Sequence, residues 1–207
     1  VEVPATEYKG LCFTAEEANS TVMMMLVNHG DVPDYELYYS YNGTDWNEFA
    51  VYSMHGGEEG TTITLSNVGD KVYFSGNNPF GFSSADYESG EVYLFNFYMT
   101  GKIAASGNVM SLLKRDCSVK EIPNDGCFQK LFDHCSSLTA APELPATTLT
   151  NNCYESMFAD CSSLVEAPEL PATNLKESCY NTMFSFCTSL VKAPELPATT
   201  LKESCYA

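Results

Sequence analysis

The stretch CYESMFADCSSLVEAPELPATNLKES, residues 153–178, occurs in three closely similar copies and decides how the chain is interpreted. The copies begin at Cys127, Cys153 and Cys179, 26 residues apart, and a fourth begins at Cys205. A fixed period of this length indicates that each copy is one supersecondary unit, which buries its apolar face by stacking on its neighbours. The sequence therefore predicts a solenoid, and we expect the array to continue past the fourth start.

Apolar residues within each copy recur every four residues, which predicts one face of an α-helix of about three turns. Thr200 precedes Glu203 by three residues, in the register of a capping box for that helix. The prolines of A-P-E-L-P cannot lie inside the helix, so this part is predicted to be a very short extended segment. In the third copy the apolar stripe consists of Leu175, Cys179, Met183 and Cys187.

The pattern M-F-x-x-C-x-S-L-x-x-A-P-x-L-P resembles the BspA-like, or treponemal-type, leucine-rich repeat, whose units read A-F-x-x-C-x-x-L-x-x-I-x-L-P. The resemblance covers residues 127–207. This chain differs in its longer period, in one extra residue between Ala167 and Pro171, and in alanine where the family has isoleucine. The resemblance implies a leucine-rich-repeat solenoid, a bacterial surface protein of the Bacteroides type, and a role in adhesion.

Residues 1–106 are predicted to form an all-β sandwich, Ig-like or jelly-roll-like, with about five to eight strands. Alternating apolar residues on either side of Asn42-Gly43 predict a hairpin over residues 35–51 with a type I′ turn. A second hairpin is predicted over residues 61–74.

The chain is accordingly predicted to be a multidomain α+β protein. Residues 1–106 form the sandwich, and residues 107–126 form a degenerate first coil that caps the solenoid. Residues 127–207 form the solenoid of strand-plus-helix coils, which stops within the fourth repeat.

Seven of the nine cysteines occupy two positions of the repeat, which raises the alternatives of disulfides, zinc ligands and buried free thiols. Cysteines eight residues apart on a helix are about 12 Å apart, too far for a disulfide. Equivalent cysteines of neighbouring copies are closer but share a face with leucine, methionine and phenylalanine, where a thiol packs as an apolar group. The closely spaced pairs typical of zinc sites are lacking. Buried free thiols are therefore predicted, with no metal and no cofactor.

The formal charge of −17 disfavours binding to nucleic acids and to anionic membrane surfaces. No apolar run is long enough to span a membrane. The first residues lack the basic and apolar regions of a signal peptide. The composition, low in lysine and arginine and rich in tyrosine, threonine, serine and asparagine, indicates an exported protein, and the resemblance to BspA-like repeats implies a place at the cell surface. We therefore expect that an export signal has been removed.

No catalytic residues are predicted. His55-Gly56-Gly57 is similar to the oxyanion loop of esterases, but the surrounding region is all-β, which does not fit that fold. Acidic residues lack the alternating oxygen ligands of a calcium loop. The carboxylates closest to such a loop in the sequence are Asp31, Asp34, Glu58 and Glu59.

The repeat does predict rows of equivalent side chains on its surface. These rows are interpreted either as an extended surface for a partner or as solubilising residues beside turns. The first row consists of Glu143, Glu169 and Glu195, and the second of Ala140, Glu166 and Lys192.

Two binding functions and one catalytic function follow from these features. The leading hypothesis is a non-enzymatic cell-surface adhesin that presents the solenoid face to a protein or extracellular-matrix partner. The alternative is a carbohydrate-binding module that uses aromatic residues of the sandwich, and a hydrolase ranks third. The aromatic candidates for glycan contact are Tyr38, Tyr39 and Trp46.

Overall fold

The structure is a computed structural model that describes residues 8–29, 34–53, 59–86 and 90–207. These residues form eleven strands and one 3₁₀ turn, Val109–Leu112. The strands are β1 (Cys12–Ala15), β2 (Ser20–His29), β3 (Leu37–Ser40), β4 (Asn47–Glu48), β5 (Tyr52–Ser53), β6 (Ile63–Leu65), β7 (Lys71–Gly76), β8 (Ser84–Asp86), β9 (Glu91–Thr100), β10 (Ile103–Ser106) and β11 (Leu138–Ala140).

Two mixed sheets contain these strands. The first has the order β11-β10-β1-β7-β3-β4, and the second has the order β5-β2-β9-β8 with β6 also paired to β2. The sheets pack through fully buried phenylalanines on their facing sides. Phe13 and Phe74 of the first sheet lie 5.0 and 5.2 Å, centroid to centroid, from Phe97 of the second.

The connection between β3 and β4 is not the predicted type I′ turn. That turn requires positive φ at both central residues, whereas only Gly43, at φ 77°, has it here. The side chain of Asn42 shapes the loop instead, because its Oδ1 accepts hydrogen bonds from the N–H groups of Thr44 and Asp45, both at 2.9 Å.

The predicted hairpin over residues 61–74 is wrong as well. A turn does form where it was expected, since the Asp70 N–H donates to the Asn67 carbonyl at 3.1 Å. The flanking strands, however, lie in different sheets: β6 pairs with β2, and β7 pairs with β1 and β3. The turn therefore carries the chain from one sheet to the other.

The repeats contain no α-helix in the described residues 127–207, so the predictions of an α+β class and of a leucine-rich-repeat solenoid are wrong. The chain is all-β. In place of helices the repeats have successive turns in which every fourth residue has positive φ, a conformation that no α-helix allows. These residues include Gly126, Lys130, His134, Asn152, Ser156, Asp160, Ser178, Thr182 and Phe186. Thr200 consequently caps no helix.

Backbone N–H groups in the turns alternate between two kinds of partner. The Leu131 N–H donates three residues back, to the Phe128 carbonyl at 3.3 Å. The next N–H, that of Phe132, donates to Met157 of the following repeat at 2.9 Å. The pattern recurs along the run, so half of these donors depend on the neighbouring repeat, whereas a helix would satisfy them within one segment.

The first repeat extends the edges of both sheets. The Phe97 N–H of β9 donates to the Leu131 carbonyl at 2.9 Å, and the Ile103 N–H of β10 donates to the Ser137 carbonyl at 3.1 Å.

A row of stacked aromatic rings extends the apolar core from the sheets into the repeats. The ring centroids are 5.4 to 5.8 Å apart and the ring planes are nearly parallel. One cluster of buried residues therefore runs from the sheets into the repeats. The ring order is Phe97, Phe132, Phe158 and Phe184. The boundaries at residues 106 and 126 stay a prediction.

The repeat cysteines are buried free thiols, and the prediction of their burial is confirmed. One column of them donates to carbonyl groups one repeat back. Cys161 Sγ, for example, lies 3.1 Å from the Phe132 oxygen. Burial raises the pKa of Cys127 to about 12, so the thiol stays protonated.

Candidate binding surfaces

The A-P-E-L-P segments of successive repeats lie side by side without a hydrogen-bond ladder. Ala167 and Leu175 still donate to the next repeat, both at 3.2 Å. Between them, no backbone hydrogen bond joins residues 168–173 to residues 194–199 in the described chain. The two prolines of each segment lack N–H groups, and this prevents neighbouring segments from pairing as β-strands.

Two grooves lie between neighbouring A-P-E-L-P segments, where the hydrogen-bond ladder is absent. The groove between the first two segments measures about 410 Å³, and the groove between the second and third measures about 250 Å³. Both are lined by proline rings and by the glutamates of the segments. The lining prolines are Pro142, Pro145, Pro168 and Pro171 in the first groove, and Pro168, Pro171, Pro194 and Pro197 in the second.

The first predicted row lies along these grooves. Glu143, Glu169 and Glu195 are all exposed, and each lines at least one groove. Glu143 is fixed by its backbone, because its N–H donates to the Gly107 carbonyl at 2.8 Å. The row thus presents one carboxylate per repeat on a proline-lined surface.

The second predicted row is less uniform. Ala140 ends β11 and is half-buried, while Glu166 and Lys192 are exposed and face each other across adjacent repeats. Glu166 Oε2 and Lys192 Nζ lie 3.5 Å apart. The only cation of either row is therefore neutralised by a member of the same row.

Of the three aromatic candidates for glycan contact, the structure brings two together. Tyr39 points away from the others, since its ring packs 6.0 Å from the buried Phe49. Tyr38 and Trp46 meet at Arg115, whose Cζ lies 5.4 Å from the Tyr38 centroid and 4.9 Å from the Trp46 centroid. Sequence reasoning missed Arg115. The available signal was that it is the only arginine of the chain.

Trp46 and its neighbours form a layer on the outer side of β3 and β7. The Tyr8 ring packs edge-on against Trp46 at 4.9 Å, and the Tyr8 hydroxyl donates to the Phe74 carbonyl at 3.0 Å. Burial raises the pKa of Tyr8 to about 12, so this hydroxyl remains a donor. Tyr38 also lines a cleft of about 520 Å³, whose lining residues include Glu36 and Glu48.

Asp133, His134 and Asp160 are the one group in the described residues whose donor atoms are close enough to hold a metal ion. His134 Nδ1 lies 2.8 Å from Asp133 Oδ1 and 3.6 Å from Asp160 Oδ2. The Asp133 side chain is only 16% exposed, and its contact with His134 is a hydrogen bond between neighbouring residues. The pair equivalent to His134 and Asp160 one repeat further is Asp160 and Phe186, so the group does not recur along the repeats. The esterase-like motif His55-Gly56-Gly57 and the calcium candidates Asp31 and Glu58 lie outside the described residues.

Comparison of the chain with protein-family models, characterised proteins and solved structures gives no match. In the part of the chain that the structure describes, no helix has the length and apolar character needed to cross a bilayer.

Proposed function

We propose that the protein is a non-enzymatic binding protein of the bacterial cell surface, which docks an extended, basic segment of a protein or matrix partner on its A-P-E-L-P face. The observation that carries this proposal is the recurrence of a proline-lined groove with an exposed glutamate at each step. A recurring groove offers a long partner the same contacts in several registers, so that many weak contacts add up.

Charge complementarity favours a basic partner. The chain carries −17 overall, and the only lysine among the groove-lining residues, Lys192, is engaged with Glu166. A field of this sign attracts cationic segments and repels anionic ones. Backbone carbonyls left outside the ladder supply acceptors for the amide and ammonium donors of an extended partner.

The non-enzymatic part of the proposal is supported by the state of the thiols. The repeat cysteines are potential nucleophiles, yet they are buried, and burial raises the pKa of Cys127 and Cys135 well above the ordinary value. A protonated, inaccessible thiol does not act as a nucleophile. The location at the bacterial surface is supported by the motif resemblance to BspA-like repeats.

The proposal is tested with a labelled, unstructured peptide of alternating lysine and proline. We expect fluorescence anisotropy at low ionic strength to show binding to the protein. Replacement of the glutamate row by E143Q, E169Q and E195Q together should weaken binding at least tenfold, because the row supplies the local anionic contacts.

The matched control replaces three exposed glutamates away from the grooves, E17Q, E59Q and E203Q, and changes the net charge equally. We expect this control to weaken binding no more than about twofold, the part due to the overall field. Equal losses in the two variants would mean that the grooves play no part, and would overturn the proposal.

A further inference from the structure

Arg115 is held in one orientation by three neighbours. Its guanidinium lies against the rings of Trp46 and Tyr38, within the range of cation–π contacts. Its Nε donates to Ser75 Oγ at 3.0 Å, and Ser75 is fully buried in β7. The side chain therefore loses little further entropy when it binds something.

The edge of this guanidinium that carries the two Nη groups has no anionic partner among the described residues. This is notable in a chain with 27 acidic side chains and a single arginine. The neighbouring Lys114 does have one, since its Nζ lies 3.2 Å from Asp116 Oδ2. With Nε occupied by Ser75, the two Nη groups remain, and their paired N–H donors match the two oxygens of a carboxylate.

The surroundings of Arg115 select the kind of carboxylate. Glu36 lies beside the Tyr38 ring, accepting from the Tyr38 hydroxyl at 3.3 Å and from Asn77 Nδ2 at 3.2 Å. Carboxylate, amide and phenol groups next to aromatic rings supply the acceptors and donors that hydroxyl groups require. The negative charges of Glu36, Glu48 and Asp116 at the same time disfavour ligands with several anionic groups.

We propose that Arg115, with Tyr38, Trp46 and Glu36, forms a binding site for a sugar residue that bears a single carboxylate, such as a uronic acid. The guanidinium edge binds the carboxylate, and the Tyr38 ring and Glu36 contact the sugar ring and its hydroxyls. The site lies on the outer side of β3 and β7 and uses none of the groove residues. It is therefore independent of the proposed partner surface, and either proposal survives the failure of the other.

The test compares two probes that differ only at C6, methyl glucuronide with a carboxylate and methyl glucoside with a hydroxymethyl group, by calorimetric or NMR titration of the intact protein. We expect the glucuronide to bind at least tenfold more tightly, and R115Q to abolish this preference. The matched control K120Q removes one exposed positive charge elsewhere and should leave the preference unchanged.

A purely structural role of Arg115 predicts a different pattern. R115K keeps the charge and the packing of the stem but loses the paired donors, so we expect it to remain folded and to lose most of the preference for the glucuronide. Equal binding of the two sugars by the wild type, or an unchanged preference in R115K and R115Q, would overturn the proposal. So would tighter binding of a short glutamate peptide than of the glucuronide.

Discussion

The sheet region, residues 8–106, and the repeats, residues 127–207, surround one apolar interior but satisfy their backbones differently. In the sheets, β2 and β9 pair continuously from Thr21 to His29. In the repeats, alternate N–H groups donate to carbonyls of the neighbouring repeat, and the others donate to carbonyls three residues back in the same repeat. The difference shows that a repeat is complete only when other segments lie beside it. For the first repeat, the second repeat accepts its N–H groups, and β9 and β10 donate to its carbonyls.

The largest effect is expected where the two regions meet. Phe132 is fully buried and stacks between Phe97 of the sheets and Phe158 of the next repeat. F132A should lower the free energy of unfolding by about 3–5 kcal/mol, since it removes a core ring and leaves a cavity. F184A, at a partly buried ring of the same stack, is the control and should cost clearly less. Urea unfolding measures both, and equal losses would contradict a core that is continuous across the junction.

Alkaline pH should lower the free energy of unfolding mainly through the thiols of the repeats. The native Cys127 thiol, with its pKa raised to about 12 by burial, keeps a proton that the unfolded chain releases near pH 9. Between about pH 9 and 12 stability should therefore fall by about 1.4 kcal/mol per pH unit for each such thiol, with no effect below pH 9. Urea unfolding across this range should be less steep in C127A, and an identical pH dependence would be inconsistent with a buried, protonated thiol.

Glycine substitution distinguishes turns from helix by the sign of its effect. Phe186 is exposed and has φ 58°, where a side chain is strained, so F186G should raise the free energy of unfolding by roughly 0.5–1 kcal/mol. In a helix the same change would destabilise the protein by about 0.5 kcal/mol, because glycine has a lower helix propensity than phenylalanine. E177G, at an exposed position without positive φ, should destabilise in either case. Thermal or urea unfolding decides the sign, and destabilisation by F186G would reject the turns.

The smallest effect is expected at the surface pair between neighbouring repeats. Glu166 and Lys192 are 64% and 71% exposed, so K192Q should cost no more than about 0.5 kcal/mol and nothing measurable at high salt. Unfolding at low and high ionic strength measures this. A cost above about 1 kcal/mol would mean that the pair holds the repeats together more than its exposure allows.

The sequence predicted individual strands better than their partners. Alternation of apolar residues marks a strand such as β3, but it does not say that β6 and β7 lie in different sheets, because the turn at Asn67–Asp70 suits both arrangements. Sheet membership depends on contacts far apart along the chain. The Tyr38–Ser75 pairing that places Tyr38 near Arg115 is one such contact.

In the repeats, burial was predicted correctly from an incorrect local structure. Apolar residues at a spacing of four form a stripe on a helix and also recur on one side of four-residue turns, so both structures bury Cys127 and Cys135. A signal for the turns was present at the positions with positive φ, where Asn152 and Asp160 tolerate the left-handed region better than most residues do.

The proposed binding surfaces were only partly predictable. The glutamate row follows from repetition and the aromatic candidates follow from composition, but the grooves depend on a ladder that the prolines interrupt. The Arg115 cluster joins three distant parts of the chain: β3 with the loop at Trp46, β7 with Ser75, and the segment after Leu112. No local pattern in the sequence predicts that Arg115 contacts Tyr38 and Trp46.

The most direct test of a shared interior compares one probe in each region during a single urea titration. Trp46, the only tryptophan, reports on the sheets by fluorescence, and labelling of Cys135, whose thiol donates to the Phe97 carbonyl, reports on the first repeat. We expect the two midpoints to coincide, because the first repeat is built on the sheet edges. Labelling of Cys135 at urea concentrations that leave the Trp46 signal native would contradict this account.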